Sequence, residues 1–130
     1  MNEVSINDKN YLESDEYKKF KEDNPVYGYL KIRAYAASGA VPITELKVEV
    51  SKIIDNTKVI FYSGFTDESG IIERINLPTR RVNTNNLNAP DYTTYDILAT
   101  RGDNINLSYK INVYENIIVV QNISIIPGGF

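Results

Sequence analysis

The residues with the most chemical potential in this chain fall in short polar stretches. Thr66-Asp67-Glu68-Ser69-Gly70 sets two carboxylates and two hydroxyls side by side between apolar runs. Arg101-Gly102-Asp103 spells an integrin-type tripeptide, and Asp103, Asn104 and Asn106 add further oxygens. Asp15-Glu16 is a second carboxylate pair. A calcium loop of the EF-hand kind needs oxygens at fixed steps across about twelve residues, a pattern neither loop cluster has. Adjacent carboxylates diverge on a helix or strand, whereas glycoside hydrolysis holds two of them about 5–10 Å apart across a cleft. Asp, Ser and Gly in one short stretch are also the residues of tight turns, and the turn reading accounts for both loop clusters. Asn106-Leu107-Ser108 and Asn122-Ile123-Ser124 fit the glycosylation sequon and read as plain strand residues.

Composition narrows the chemistry further. The 130 residues contain no histidine and no cysteine. That removes the commonest general base, the commonest zinc ligand, thiolate nucleophiles and any disulfide framework. No nucleophile–base pair and no glycine-rich phosphate loop stands out, so the sequence predicts no catalytic residue, cofactor site or metal site. A net charge of −3 argues against nucleic acid, which demands clustered Lys and Arg. The opening MNEVSINDKN carries no apolar core of a secretory signal. No window reaches the ~18 consecutive apolar residues of a membrane helix. The expectation is a soluble domain with no nucleic-acid or membrane partner.

The elements that must position these residues are mostly strands. Residues 1–26 form a polar N-terminal arm with one expected helix, Tyr11 to Lys21, started by Asn10 with Glu13 three residues on and stopped by Asn24-Pro25. Its apolar stripe is narrow: Leu12, Tyr17 and Phe20. Residues 27–127 carry about seven β-branched and aromatic runs. They are Tyr29–Ala37, Leu46–Ser51, Val59–Phe65, Ile71–Leu77, Tyr92–Thr100, Leu107–Val113 and Ile117–Ile126. Leu46, Val48 and Val50 alternate with Lys47, Glu49 and Ser51, the mark of a half-buried strand with the latter three facing water. Pro78 to Pro90 is too polar for a strand. One sheet cannot bury both faces, so a seven-stranded antiparallel, Ig-like sandwich follows, preceded by a short helical arm.

An ordered set of motifs carries a family resemblance. Gly28 to Val50 places a first strand, a small-residue turn, Pro42-Ile43 and an alternating second strand in succession. Thr66-Asp67-Glu68-Ser69-Gly70 then precedes a strand closing in Leu77-Pro78. Tyr95-Asp96-Ile97-Leu98-Ala99 and a last strand from Gln121 to Pro127 complete the series. From Gly28 to Pro127 the chain resembles the transthyretin-like (prealbumin-like, carboxypeptidase regulatory-like) domains, with Glu45-Leu46 where that family has Gly-Ala. With its preceding YKKFKEDNP it is similar to modules of spore-cortex-lytic and wall-associated proteins of spore-forming Gram-positive bacteria. The resemblance implies a β-sandwich that scaffolds or docks rather than catalyses. The family's catalytic offshoot, hydroxyisourate hydrolase, depends on histidines and a Tyr-Arg-Gly-Ser-type tail, which this chain lacks.

The ends complete the functional expectation. Residues 128–130 are a tail in which two glycines lead to the apolar Phe130. With the arm, the tail predicts intersubunit contacts through Leu12, Tyr17, Phe20 and Phe130, the alternatives being a short helix packed on its own domain or half-frayed and a frayed end. The sequence reading is therefore a non-enzymatic subunit of a phage or phage-tail-like particle, partnered by other protein subunits or by itself, made in the cytoplasm and carried in the particle. The alternative is a peptidoglycan- or protein-binding accessory module of a spore or cell-wall hydrolase, with wall glycan as a partner. Outward tyrosines among the ten in the chain would stack on sugars or line a protein interface, or else simply suit half-buried strand positions.

Overall fold

A computed structural model describes residues 2–82 and 91–126, the side chain of Ser38 excepted. The expected all-β sandwich with a short N-terminal helical piece is what the chain forms. Strands in chain order are β1 (Asn2–Ser5), β2 (Val26–Ala36), β3 (Val41–Pro42), β4 (Lys47–Ile54), β5 (Thr57–Phe65), β6 (Ile71–Thr79), β7 (Tyr92–Arg101), β8 (Ile105–Tyr114) and β9 (Ile118–Ile125). One sheet runs β1-β5-β4-β7-β8, and in the other β2 pairs with β6, β3 and β9. Alternation sets the packing. Val48 and Val50 of β4, Ile97 and Ala99 of β7, and Leu30 and Ile32 of β2 all turn into the shared core.

Several details depart from the sequence reading. The strands are not all antiparallel: β1 pairs with β5, and β2 with β9, in parallel. Parallel strands need a connection of about a dozen residues or more, which both pairs have because the partners are distant in sequence. The arm holds two helices rather than one, α1 (Lys9–Leu12) and α2 (Asp15–Asp23). Asp8 starts α1 by accepting from the Asn10 and Tyr11 amides at 2.9 and 3.4 Å. Ser14 splits the run. Its Oγ donates to the Tyr11 carbonyl at 2.6 Å and accepts from the Tyr17 amide at 3.2 Å, ending one helix and opening the next. Asn24 closes α2 as expected, its amide group donating to the Phe20 carbonyl at 2.9 Å.

The acidic knot is a turn. Asp67 Oδ1 accepts from the Ser69 and Ile71 amides at 2.9 and 3.0 Å, and Gly70 sits at φ +74°. Thr66, buried beside it, donates to the Ile43 carbonyl at 2.7 Å and accepts from the Leu46 amide at 3.0 Å. The motif thus ties the β5–β6 turn to the segment entering β4. Asp67→Ala removes two exposed acceptor contacts and is expected to cost about 1 kcal/mol, read as a lower urea midpoint at unchanged slope.

Candidate functional site

The two ends of the sandwich differ in chemistry. At the end where β2 finishes and β7 turns into β8, a cleft of about 690 Å³ is walled by Ala36, Val41, Pro42, Ile43 and Ile105. Its polar lining comes from Thr44, Asn104 and Arg101. Positive φ at Ala37 and Gly39 turns the chain sharply out of β2, which opens this floor, and Gly102 at φ +56° turns β7 into β8 on the other side. Arg101 is exposed and has no side-chain partner among the described residues. An unpaired guanidinium beside an apolar wall is a fork of donors available to a carboxylate.

At the opposite end, under the C-terminus of α2, a smaller cleft of about 380 Å³ is lined by Phe20, Asp23, Asn24, Lys52, Arg80, Tyr92, Thr93 and Thr94. Lys52 continues the inward alternation of Val48 and Val50, so its amine enters the mouth of the sandwich. Its Nζ donates to the Thr94 carbonyl at 2.9 Å and lies 5.8 Å from the centre of the Tyr95 ring. Burial lowers the Lys52 pKa. Asp96 opposes that shift, and Lys110 and Arg80 reinforce it. Behind it Thr93 Oγ1 donates to buried Asn24, and Tyr95 OH donates to the Pro78 carbonyl. Burial raises the Tyr95 pKa, so that phenol stays a neutral donor.

The side chains expected to join subunits fall in different environments. Phe20, at 7% exposure, is a core residue, and this corrects its assignment to an intersubunit contact. Its ring stacks in a file that runs Tyr11, Tyr17, Phe20, Phe61, Tyr95, with neighbouring centroids 5.1–6.2 Å apart. Tyr17 is half-buried in that file, and Leu12 is exposed on α1. Phe130 lies outside the described residues. Ser51, expected to face water, is buried. The carboxylate clusters do not converge: among the described residues no three His, Cys, Asp or Glu side chains could hold one metal ion. Sequence reasoning missed Lys52, Arg80 and Arg101. The signal for Lys52 was present, since the period of two that buries Val48 and Val50 also points residue 52 inward. Arg101 was absorbed into a turn reading that its backbone satisfies but its side chain does not need.

No family model matches the sequence, and no curated protein matches it. Solved structures do. Klebsiella pneumoniae 5-hydroxyisourate hydrolase matches with a TM-score of 0.51 and 13% identity, over 78% of this chain and 91% of that one. The fold is a transthyretin-like sandwich. (S)-allantoin synthase is also matched, with a TM-score of 0.44 and 12% identity, over 78% of this chain and 42% of that one.

The likeness of this transthyretin-like sandwich to the hydrolase is one of fold alone, and it corrects the functional expectation. The non-enzymatic particle subunit, and with it the accessory-module alternative, rested on reading the fold as a scaffold. The structure matched is that of a hydrolase, so the sandwich does not by itself mark a scaffold, and that basis is removed. The expectation that the chain is not an enzyme falls with it.

Proposed function

We propose that this transthyretin-like sandwich binds a small amphipathic carboxylate in the apolar cleft between β3 and the β7–β8 turn. The observation that carries the reading is Arg101, a cation without a partner among the described residues, on the rim of a cleft whose walls are Ala36, Val41, Pro42, Ile43 and Ile105. A volume of about 690 Å³ lies within the range of small-molecule sites. Apolar walls favour a short hydrocarbon body, and the guanidinium selects a carboxylate head over a neutral or cationic one.

Amide chemical shifts during a titration with octanoate test this. Saturable shifts are expected at Val41, Ile43 and Ile105, with octylammonium giving none. Arg101→Gln is expected to weaken octanoate about tenfold, the loss of one charge-assisted hydrogen bond, with thermal stability unchanged. Equal binding of octanoate and octylammonium overturns the reading, as does an absence of saturable shifts. The fold match supplies a second, hydrolytic reading, tested by the ultraviolet decay of 5-hydroxyisourate with and without the protein. Decay accelerated in the parent chain and lost in Arg101→Gln would make the same cleft a catalytic one.

A further inference from the structure

The Lys52 cleft takes no part in that reading, and its composition is unlike that of a structural ion pair. In the described structure the three ion pairs, Lys31–Glu73, Lys58–Glu49 and Lys110–Asp96, each join a lysine to a carboxylate within 3.4 Å. Lys52 has no such contact. Its amine is held by a backbone carbonyl at the inward side of a cleft, above an aromatic ring, with Arg80 lining the same space. A lysine that only supported the fold would gain from a carboxylate there. The acidic side chain lining the cleft is Asp23 of α2, and the charged groups that act on Lys52 are Asp96, Lys110 and Arg80.

We propose that Lys52 is a carbonyl-capturing amine that forms an imine with a small 2-oxo acid, with Arg80 pairing the acid's carboxylate. The amine lone pair attacks the keto carbon to give a carbinolamine. The carbonyl oxygen then leaves as water, taking both amine protons, and a C=N bond remains. The step needs no oxidant, reductant or co-reactant. It requires the neutral amine, and the burial that lowers the Lys52 pKa enlarges that fraction relative to an exposed lysine. A cleft of about 380 Å³ between Phe20 and Tyr92 suits a molecule of a few carbons. Arg80 supplies the carboxylate preference that the amine itself lacks.

The test is reductive trapping on the whole chain. The protein is incubated with pyruvate and cyanoborohydride, and modified lysines are located by peptide mass mapping. Butanone, a neutral ketone of similar size, serves as the comparison. Trapping at Lys52 is expected to exceed that at the exposed Lys18 and Lys19 of α2 several-fold, because burial enlarges the neutral fraction of its amine. Pyruvate is expected to outpace butanone at Lys52, and Arg80→Gln to abolish that preference without changing thermal stability. Lys52→Arg, which keeps the charge and removes the amine, is expected to return total labelling to the level of the exposed lysines. Labelling of Lys52 no faster than Lys18 overturns the proposal. A pyruvate preference that survives Arg80→Gln overturns the assignment of the carboxylate to Arg80. Neither outcome bears on octanoate binding at the other end.

Discussion

Gly70→Ala is expected to lower stability by about 3 kcal/mol. Two separate causes act at one atom. The backbone at position 70 has φ +74°, a left-handed conformation that costs a residue with a Cβ about 1–2 kcal/mol. A Cβ there would also stand 2.3 Å from the Ala34 carbonyl oxygen, 3.1 Å from the Ile43 amide nitrogen and 3.2 Å from Pro42 Cβ. That carbonyl cannot simply retreat. It accepts from the Ile43 amide at 3.0 Å, while the Ala34 amide donates to the Gly70 carbonyl at 2.8 Å. Moving it breaks the seam that joins β2, the β5–β6 turn and the segment leaving β3, and overpacking of this kind costs about 1–3 kcal/mol more. Urea unfolding measures the total. Gly70→Asn separates the causes, because Asn tolerates the left-handed region but carries the same Cβ. If Asn restores the parent midpoint, the close approach contributes nothing. A loss below about 0.5 kcal/mol for Gly70→Ala, the range of an ordinary surface change, would remove both.

That seam shows what was legible in the sequence and what was not. Strands with a clean period of two, such as β2, β4 and β7, announce themselves, because burial on one face forces the alternation. The turn at Asp67–Gly70 is equally plain, since Asp and Gly meet its backbone needs locally. β1 was hidden because Asn2-Glu3-Val4-Ser5 has no apolar face; it is held by its parallel pairing to Thr57–Ile60, a partner more than fifty residues away. β3, two residues long, is likewise defined by its neighbour rather than by itself. Helix ends failed for a different reason. Asn10 reads as a good cap in isolation but lies inside α1, which Asp8 caps, and the hydrogen bonds of Ser14 decide where α1 stops. The candidate sites were the least legible. Lys52 sits at an inward position that alternation marks, but its meaning depends on Arg80, delivered by another strand's end. Arg101 is informative only once β3 has been folded across from it.

Phe20→Ala is the other large effect, and it separates an arm that docks on neighbours from an arm that belongs to this fold. The ring of Phe20 lies 5.7 Å from that of Phe61, which in turn meets Tyr95 edge-on at 5.1 Å. Truncating it removes the link between α2 and the sandwich core and leaves a void beneath the helix. The expected cost is about 3–5 kcal/mol. For a chain of this size about 3 kcal/mol corresponds to a melting temperature lower by roughly 10 °C. The loss should spread along the aromatic file, so near-ultraviolet dichroism from Tyr11, Tyr17 and Tyr95 should weaken together in the native state. Phe20→Leu, which refills most of the volume, should recover more than half of the stability. A detachable arm predicts the opposite pattern: unchanged melting of the isolated chain, and a change only when another subunit is present. On the sequence reading, a chain lacking residues 1–20 and 128–130 stays a folded monomer that no longer joins its assembly. The burial of Phe20 and the parallel pairing of β1 with β5 instead make loss of residues 1–20 remove a core ring and an edge strand at once. Because Phe20 also lines the Lys52 cleft, Phe20→Leu should keep imine trapping while Phe20→Ala slows it. The arm is then both a structural element and one wall of the Lys52 cleft.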